Sequence, residues 1–213
     1  EYFKEVLRDK RVRIIDFDHP FNYSRINNLA VKEANGSVLA LLNNDLEVIN
    51  RDWLREMVSH AVRPEIGAVG ARLFYPDGTV QHAGVLLGYK GRAGHMYRYA
   101  PRHWLGYWAR AVLIQNLTAV TAACLVLRKD VYDSIGGFDE ENFTITFNDV
   151  DLCLRIHERG LRNLYTPYAE LYHHESKTRG LMAFQSEEDY FSERWKPYIQ
   201  YDTAYNPNLS LET

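Results

Sequence analysis

Long apolar runs are missing from this 213-residue chain, and no segment approaches the roughly 20 residues a helix needs to cross a bilayer. Cysteine is nearly absent too. Cys124 sits in an apolar, strand-like run and Cys153 in a helical pattern, which gives no disulfide framework and no metal-knuckle spacing. A reducing cytoplasmic setting is therefore expected. No basic block accompanies the net charge of −3, so nothing argues for a nucleic-acid partner. The opening Glu1-Tyr2-Phe3-Lys4-Glu5 lacks the basic and then apolar regions of a signal peptide. Internal repeats and low-complexity tracts are missing as well. Residue 1 is Glu rather than Met, and the opening reads as the end of a helix leading into a strand, so a piece of a longer protein is expected.

What remains is ordinary globular composition, 46% hydrophobic and 25% charged, of a size for one domain or one domain with an appendage. Glu1–Asp9 reads as a helix, and Arg11–Phe17 alternates charged and apolar residues as a strand does. Ser24 is placed to cap a helix from Arg25 to about Ala34, stopped by Asn35-Gly36, and Val38–Leu42 has the length of a buried strand. This β-α-β order predicts a parallel right-handed crossover in an α/β fold. Further on, the pattern predicts a helix over Asp52–Val62, a strand over Ile66–Leu73 and a turn at Pro76-Asp77-Gly78. Gly84–Gly106, with five glycines among Tyr, His, Arg and Trp, reads as a long irregular surface segment. A strand around Ala122–Leu127, a short helix Lys129–Ile135, a helix Asp149–Arg159, short strands Leu161–Tyr165 and Ala169–Tyr172, and a helix Phe184–Trp195 complete the reading.

Three motifs carry chemistry. In the first, an apolar strand ends abruptly in Asn43-Asn44-Asp45. Polar residues at the C-terminal end of such a strand face the crevice where open α/β sheets bind ligands, and a carboxylate there suits a hard divalent cation. A strand-end Asp is also a common turn residue. In the second, Asn148-Asp149-Val150-Asp151 places two carboxylates at a helix start, where they either cap the helix or supply a general base. Asp149 is the better base, because Asp151 lies inside the first turn. In the third, His173-His174 ends a strand, so the two rings point to opposite faces and at most one serves a site. Lys177-Thr178-Arg179-Gly180 follows, able to pair with a diphosphate or to form a solvated turn.

In this order the motifs resemble the family-2 glycosyltransferases of the glycosyltransferase A fold. The residues that carry the resemblance are Phe21-Asn22-Tyr23-Ser24-Arg25-Ile26-Asn27-Asn28, Leu42-Asn43-Asn44-Asp45, Gly136-Gly137-Phe138-Asp139-Glu140, Asn148-Asp149-Val150-Asp151-Leu152, and His173-His174-Glu175-Ser176 through Arg179-Gly180. Tyr205-Asn206-Pro207-Asn208-Leu209 is similar to the tail of bacterial members acting on surface polysaccharides, including rhamnosyltransferase-like proteins.

The resemblance implies a Rossmann-like, mostly parallel mixed sheet flanked by helices, here without its N-terminal nucleobase-binding part. It implies a catalytic portion over 1–183 and a C-terminal helix and tail over 184–213. The family's Asp-x-Asp metal motif falls on Asn43-Asn44-Asp45, which leaves Asp45 as the metal carboxylate, with His173 as the late metal histidine. Asn43, Asn44, Asp45 and Arg179 are then expected at the donor diphosphate and Asp149 as the base. Gly136, Gly137, Phe138, Asp151 and Trp104 are expected on the acceptor side. The implied activity is inverting, Mn- or Mg-dependent transfer from a nucleotide sugar, with dTDP-rhamnose or a UDP-sugar favoured, to a saccharide or lipid-linked acceptor. A lipid-linked acceptor would place it at the cytoplasmic face of the inner membrane. A metal-dependent phosphoesterase or nucleotidyltransferase, and a glycan-binding or assembly module without turnover, are the rival readings.

Overall fold

The computed structural model describes residues 5, 7–174 and 185–211. Its main sheet is built from β1 (Val38–Leu42), β2 (Leu46–Val48), β3 (Ile66–Phe74), β4 (Val80–His82), β7 (Gln115–Leu117), β8 (Cys124–Arg128) and β9 (Arg162–His173). The strand order is β1-β8-β3-β9-β2, with β4 added to β3 and β7 to β9. A small second sheet pairs β5 (Val85–Leu87) with β6 (Ala93–His95). Helices α1 (Tyr23–Glu33), α2 (Trp53–Ala61), α3 (Lys129–Ser134), α4 (Asn148–Glu158), α5 (Gln185–Arg194) and α6 (Lys196–Gln200) surround the sheets.

β3 is the central strand, and all nine of its residues are buried. Met57 and Ala61 of α2 pack on one face, in a cluster with Val69, Ala71 and Leu73. Ile156 of α4 packs on the other. Two glycines make that second contact possible: a Cβ at Gly67 would lie 2.1 Å from Ile156 Cγ2, and one at Gly70 would lie 2.5 Å from Val120 Cβ. Here glycine serves close approach of elements rather than a turn. Phe191 of α5 and Trp195 beyond it are buried in the same core as α4.

The mixed α/β architecture is as expected, but its beginning is not. Residues 11–17 lie outside any strand, with Val12, Ile14 and Ile15 exposed to solvent. β1 instead runs antiparallel to β8, from Val38↔Arg128 to Leu42↔Cys124. The predicted β-α-β crossover therefore does not form among the described residues. Alternation makes a segment fit to be a strand, but a strand exists only where a neighbour accepts its ladder. β1 is half-buried rather than fully buried: Leu39 and Leu41 point inward, while Ala40 and Leu42 are exposed. Among the described strands, β3 with β9 is the parallel pair, and the other pairings are antiparallel.

Two other differences shape the site. Gly84–Gly106 is not a surface loop throughout, because it contains β5 and β6, and Leu86, Leu87, Met96 and Tyr97 are buried. The strands expected at Leu161–Tyr165 and Ala169–Tyr172 form one long strand, β9. Its register against β3 jumps from Gly70↔Tyr165 to Arg72↔Glu170. The bulge between takes in Pro167, which has no N–H to give a ladder. The first half of β9 pairs with β7, and its end pairs with β2.

Candidate active site

The β2–β9 ladder brings two distant motifs together. Leu46 faces His173 in register, and the His174 N–H donates to the Asp45 carbonyl at 2.9 Å. The turn Asn43-Asn44-Asp45 is thereby stapled to the end of β9. As strand alternation requires, the two imidazoles part company. His174 turns outward to exposed Glu47, 3.0 Å from its carboxylate, whereas His173 turns into a cavity. Asn43 also faces the cavity, while Asn44 sits exposed at the tip of the turn.

His173 is held by Gln81 on β4, whose Oε1 lies 2.7 Å from Nδ1 and whose Nε2 reaches the His173 carbonyl at 3.4 Å. That pairing puts the ring proton on Nδ1 and leaves Nε2 as a lone-pair donor. Asn43 Nδ2 lies 3.2 Å from Nε2. Asp45 Oδ1 is 3.1 Å from the same nitrogen, buried, and without a hydrogen-bond partner. A buried carboxylate oxygen left unpaired beside an imidazole lone pair is costly as it stands. A cation beside the carboxylate would satisfy it, with His173 as a second ligand that the Gln81 contact orients from behind. The residues therefore fit a divalent ion. Among the described residues no cluster of three or more His, Cys, Asp and Glu side chains can hold a metal. Two protein donors leave the other positions to substrate oxygens and water, as suits Mg²⁺ or Mn²⁺.

Asp149 opens onto the same cavity, whose volume is about 530 Å³. It stands in the first turn of α4, two residues after Phe147, a non-glycine residue at φ 57°. Stacking of Phe147 on Phe191, with centroids 4.5 Å apart, supports that unfavourable backbone. Three donors fix the carboxylate: Thr121 Oγ1 at 2.8 Å and the Ala122 N–H at 3.1 Å on Oδ2, and the Val150 N–H at 2.9 Å on Oδ1. The loop leading to α4 is clamped by Glu187, which accepts from the backbone N–H groups and hydroxyls of Thr144 and Thr146. Burial raises the Glu187 pKa, but these hydrogen bonds together outweigh it and hold the carboxyl below its ordinary value. Glu188, also on the cavity wall, pairs with Arg92.

The residues expected on the acceptor side are not brought to this cavity. Asp151 is fully buried, accepting from Trp195 Nε1 at 3.0 Å and from Arg155 Nε at 2.8 Å. Capping geometry explains the difference, since successive positions on a helix do not share a face. Gly136, Gly137 and Phe138 line a separate cavity of about 600 Å³ beside α1 and α3. Trp104 packs edge-on against buried Tyr97, centroids 5.1 Å apart, outside the lining of the Asp149 cavity. Arg179 lies outside the described residues. Both thiols are buried, which pushes Cys124 and Cys153 up to about 12 and makes them packing groups. Gln81, His82, His95, Thr121 and Glu188 were not singled out by sequence reasoning. Gln81 carries no signal at all, whereas two histidines flanking a glycine-rich stretch were a signal available to be used.

The chain is 50% identical over its whole length to the uncharacterized protein y4gI of Sinorhizobium fredii, of which it covers 24%. It is 44% identical over 95% of its length to the O-antigen biosynthesis protein RfbC of Myxococcus xanthus, covering 16% of that protein. It thus spans a quarter or less of these relatives. A solved mannosyltransferase from Pyrobaculum calidifontis, in complex with GDP-Man and Mn²⁺, superposes with a TM-score of 0.61 at 15% identity, covering 96% of this chain and 51% of that one. That likeness establishes the glycosyltransferase A fold. The model of "Glycosyltransferase like family 2" matches residues 2–192, and the chain belongs to that family.

Proposed function

We propose that this chain transfers a sugar from a nucleoside-diphosphate donor to a hydroxyl of a saccharide or lipid-linked acceptor, with inversion at the anomeric carbon. The observation that carries the reading is that His173, with Asp45 3.1 Å from its Nε2, and Asp149 line one cavity, although Asp45 is more than a hundred residues before the other two. Asp45 and His173 would hold Mn²⁺ or Mg²⁺, which when bound supplies positive charge to a departing diphosphate.

Asp149 is the general base. Among the described residues its Oδ2 takes two donors, while Oδ1 takes only the Val150 N–H and keeps a lone pair for an incoming hydroxyl. As the acceptor oxygen attacks from the side opposite the diphosphate, its proton passes to that carboxylate. Thr121 and the backbone N–H groups keep the carboxylate from rotating away. Asn43, beside His173, is placed to donate to a diphosphate oxygen. The RfbC relative supports a polysaccharide acceptor in cell-surface synthesis. A lipid-linked acceptor would bring the site to the cytoplasmic face of the inner membrane, although among the described residues no helix is long and apolar enough to cross one.

The test is product analysis with UDP- and dTDP-sugars and Mn²⁺. Asp149→Asn should lower turnover by roughly 10²–10⁴-fold, the usual worth of a positioned base, with donor binding nearly intact. Normal turnover in that variant would exclude the assigned base. Release of free phosphate without sugar transfer would favour phosphoester chemistry, and donor binding without any product would favour a binding module.

A further inference from the structure

A run of exposed apolar side chains lies outside the cavity. Trp104, Leu105, Tyr107, Trp108, Leu113 and Ile114 all stand out in solvent within one short stretch, and Trp108 is 81% exposed. The stretch is built rather than loose. The Ala111 N–H donates to the Leu105 carbonyl at 2.9 Å, which closes a compact loop, and the carbonyl of buried Ala111 accepts from the Tyr165 hydroxyl of β9. Gly106, φ 76°, is needed at the neck, because a Cβ there would lie 3.0 Å from the Ala111 nitrogen. At the tip Trp108 and Ala109 hold left-handed backbone, φ 50° and 62°, with Tyr107 edge-on to Trp108, centroids 6.3 Å apart. Non-glycine residues adopt that conformation at a cost, and here no burial of the indole offsets it.

The surroundings carry one sign of charge. Between Asp77 and Asp130 the sequence has no acidic residue, although 28 of its 213 residues are Asp or Glu. Arg110, inside the loop, bonds Gln115 and lies over Tyr205, with no carboxylate partner among the described residues. Just before the loop, Arg102 shares the single carboxylate of Glu170 with Arg72, at 2.8 and 3.7 Å, which leaves one positive charge over. The stretch is also tied to the site. It leaves the wall of the Asp149 cavity at Arg98 and returns to it at Thr121, so whatever holds the loop is joined to that wall at both ends.

We propose that residues 104–114 are a membrane-docking loop, whose aromatic and aliphatic side chains enter the interface of a bilayer bearing anionic lipids. Trp and Tyr favour that interface because each ring has an apolar body and a polar edge, and unopposed guanidinium groups are drawn to anionic headgroups. A glycan would stack on the aromatic faces but has no use for Leu105, Leu113 and Ile114. A protein partner would need a pocket shaped to Trp108, whereas a fluid interface takes any projecting shape. The inference rests on the glycosyl-transfer reading for its purpose and names the partner of that site. Docking presents the cavity to an acceptor whose lipid tail stays in the bilayer.

Vesicle co-sedimentation of the full-length protein, without donor, tests the surface. The protein should bind vesicles containing phosphatidylglycerol and cardiolipin, and bind phosphatidylcholine vesicles roughly tenfold more weakly. Trp108→Ser should weaken binding to the anionic vesicles by roughly tenfold or more, the worth of one large apolar side chain. Arg110→Gln should weaken it roughly fivefold, and Arg110→Lys, which keeps the charge, should not. Turnover on a water-soluble saccharide acceptor should stay at the level of the unaltered protein in all three variants. No binding, equal binding to both kinds of vesicle, or unchanged binding in Trp108→Ser overturns the proposal. Lost turnover on the soluble acceptor in Trp108→Ser makes the loop a glycan or protein contact and overturns it too. Vesicle binding needs no chemistry, so the two readings fail separately. Binding without sugar transfer refutes the glycosyl-transfer reading alone, and transfer without binding refutes the docking loop alone.

Discussion

Asp149 and Asp151 are two residues apart on one helix, yet Asp149 lines the cavity and Asp151 is fully buried, so Asp151→Asn is the sharpest stability test. The substitution conserves shape, opens no cavity, and isolates the charge. Asp151 Oδ2 lies 2.8 Å from both Arg155 Nε and Nη2, and Oδ1 accepts from Trp195 at 3.0 Å with Arg194 Nε 3.5 Å away. The Arg155 side chain is only 14% exposed, and its Nη1 already donates to the carbonyls of Ile135 and Gly137. An amide cannot neutralise that guanidinium, and one of its two orientations turns an NH₂ toward it. Breaking a buried pair by removing one partner costs about 3–5 kcal/mol. With a urea m-value of about 2 kcal/mol per M, the unfolding midpoint should fall by roughly 1.5–2.5 M. Equilibrium unfolding followed by Trp fluorescence measures this, alongside kcat under conditions where the variant remains folded. An unchanged midpoint together with lost turnover would refute the reasoning and return Asp151 to the reaction.

The remaining predictions concern neighbouring parts of the same machinery. Gln81→Leu removes the acceptor that orients His173, and should weaken Mn²⁺ affinity by about 10–100-fold in calorimetric titration while leaving the fold intact. Gly67→Ala places a methyl 2.1 Å from Ile156 Cγ2 and should cost about 1–3 kcal/mol of stability by overpacking, read from the unfolding midpoint. Because the folded pKa of Glu187 lies below its ordinary value of 4.5, its contribution is complete above that pH and is lost as pH falls through the depressed value. Limited proteolysis of the 144–146 loop should therefore accelerate below about pH 4.5, and Glu187→Gln should be nicked at every pH.

What could be read directly from the sequence was whatever a short window contains. The apolar run of β3, the 3.6-residue pattern of α2 and the glycine stop after α4 all form within a residue or two of expectation. The Asn43-Asn44-Asp45 turn and the Asp149 helix start were visible because polar residues interrupt apolar patterns abruptly. Residues 11–17 misled because their alternation is local whereas strand pairing is not, and the neighbour that β1 takes is β8, more than eighty residues away. The residues expected on the acceptor side lie away from the Asp149 cavity for a related reason. Neither a glycine pair nor a second acid on a helix says which face the fold will cover, and here the faces of Asp151 and Gly137 are closed by Trp195, Arg155 and Asn28.

One short peptide shows why the centre of the site was the least legible part. Thr121-Ala122-Ala123 sits just before β8, reads as plain strand, and has a single polar side chain. It nevertheless touches every functional element. Thr121 serves Asp149 through its hydroxyl and His82 through its N–H, and the Ala122 N–H reaches Asp149 while its carbonyl accepts from Tyr23. The Ala123 carbonyl accepts from the Asn43 N–H at 2.9 Å. Base, His82 imidazole and metal-side turn are therefore held by backbone groups that any amino acid would supply, so side-chain identity has little to report. What the position does require is smallness. Ala122 and Ala123 line the cavity together with Asp149 and His173, and a larger residue at either would fill the space that the proposed transfer reserves for the acceptor oxygen.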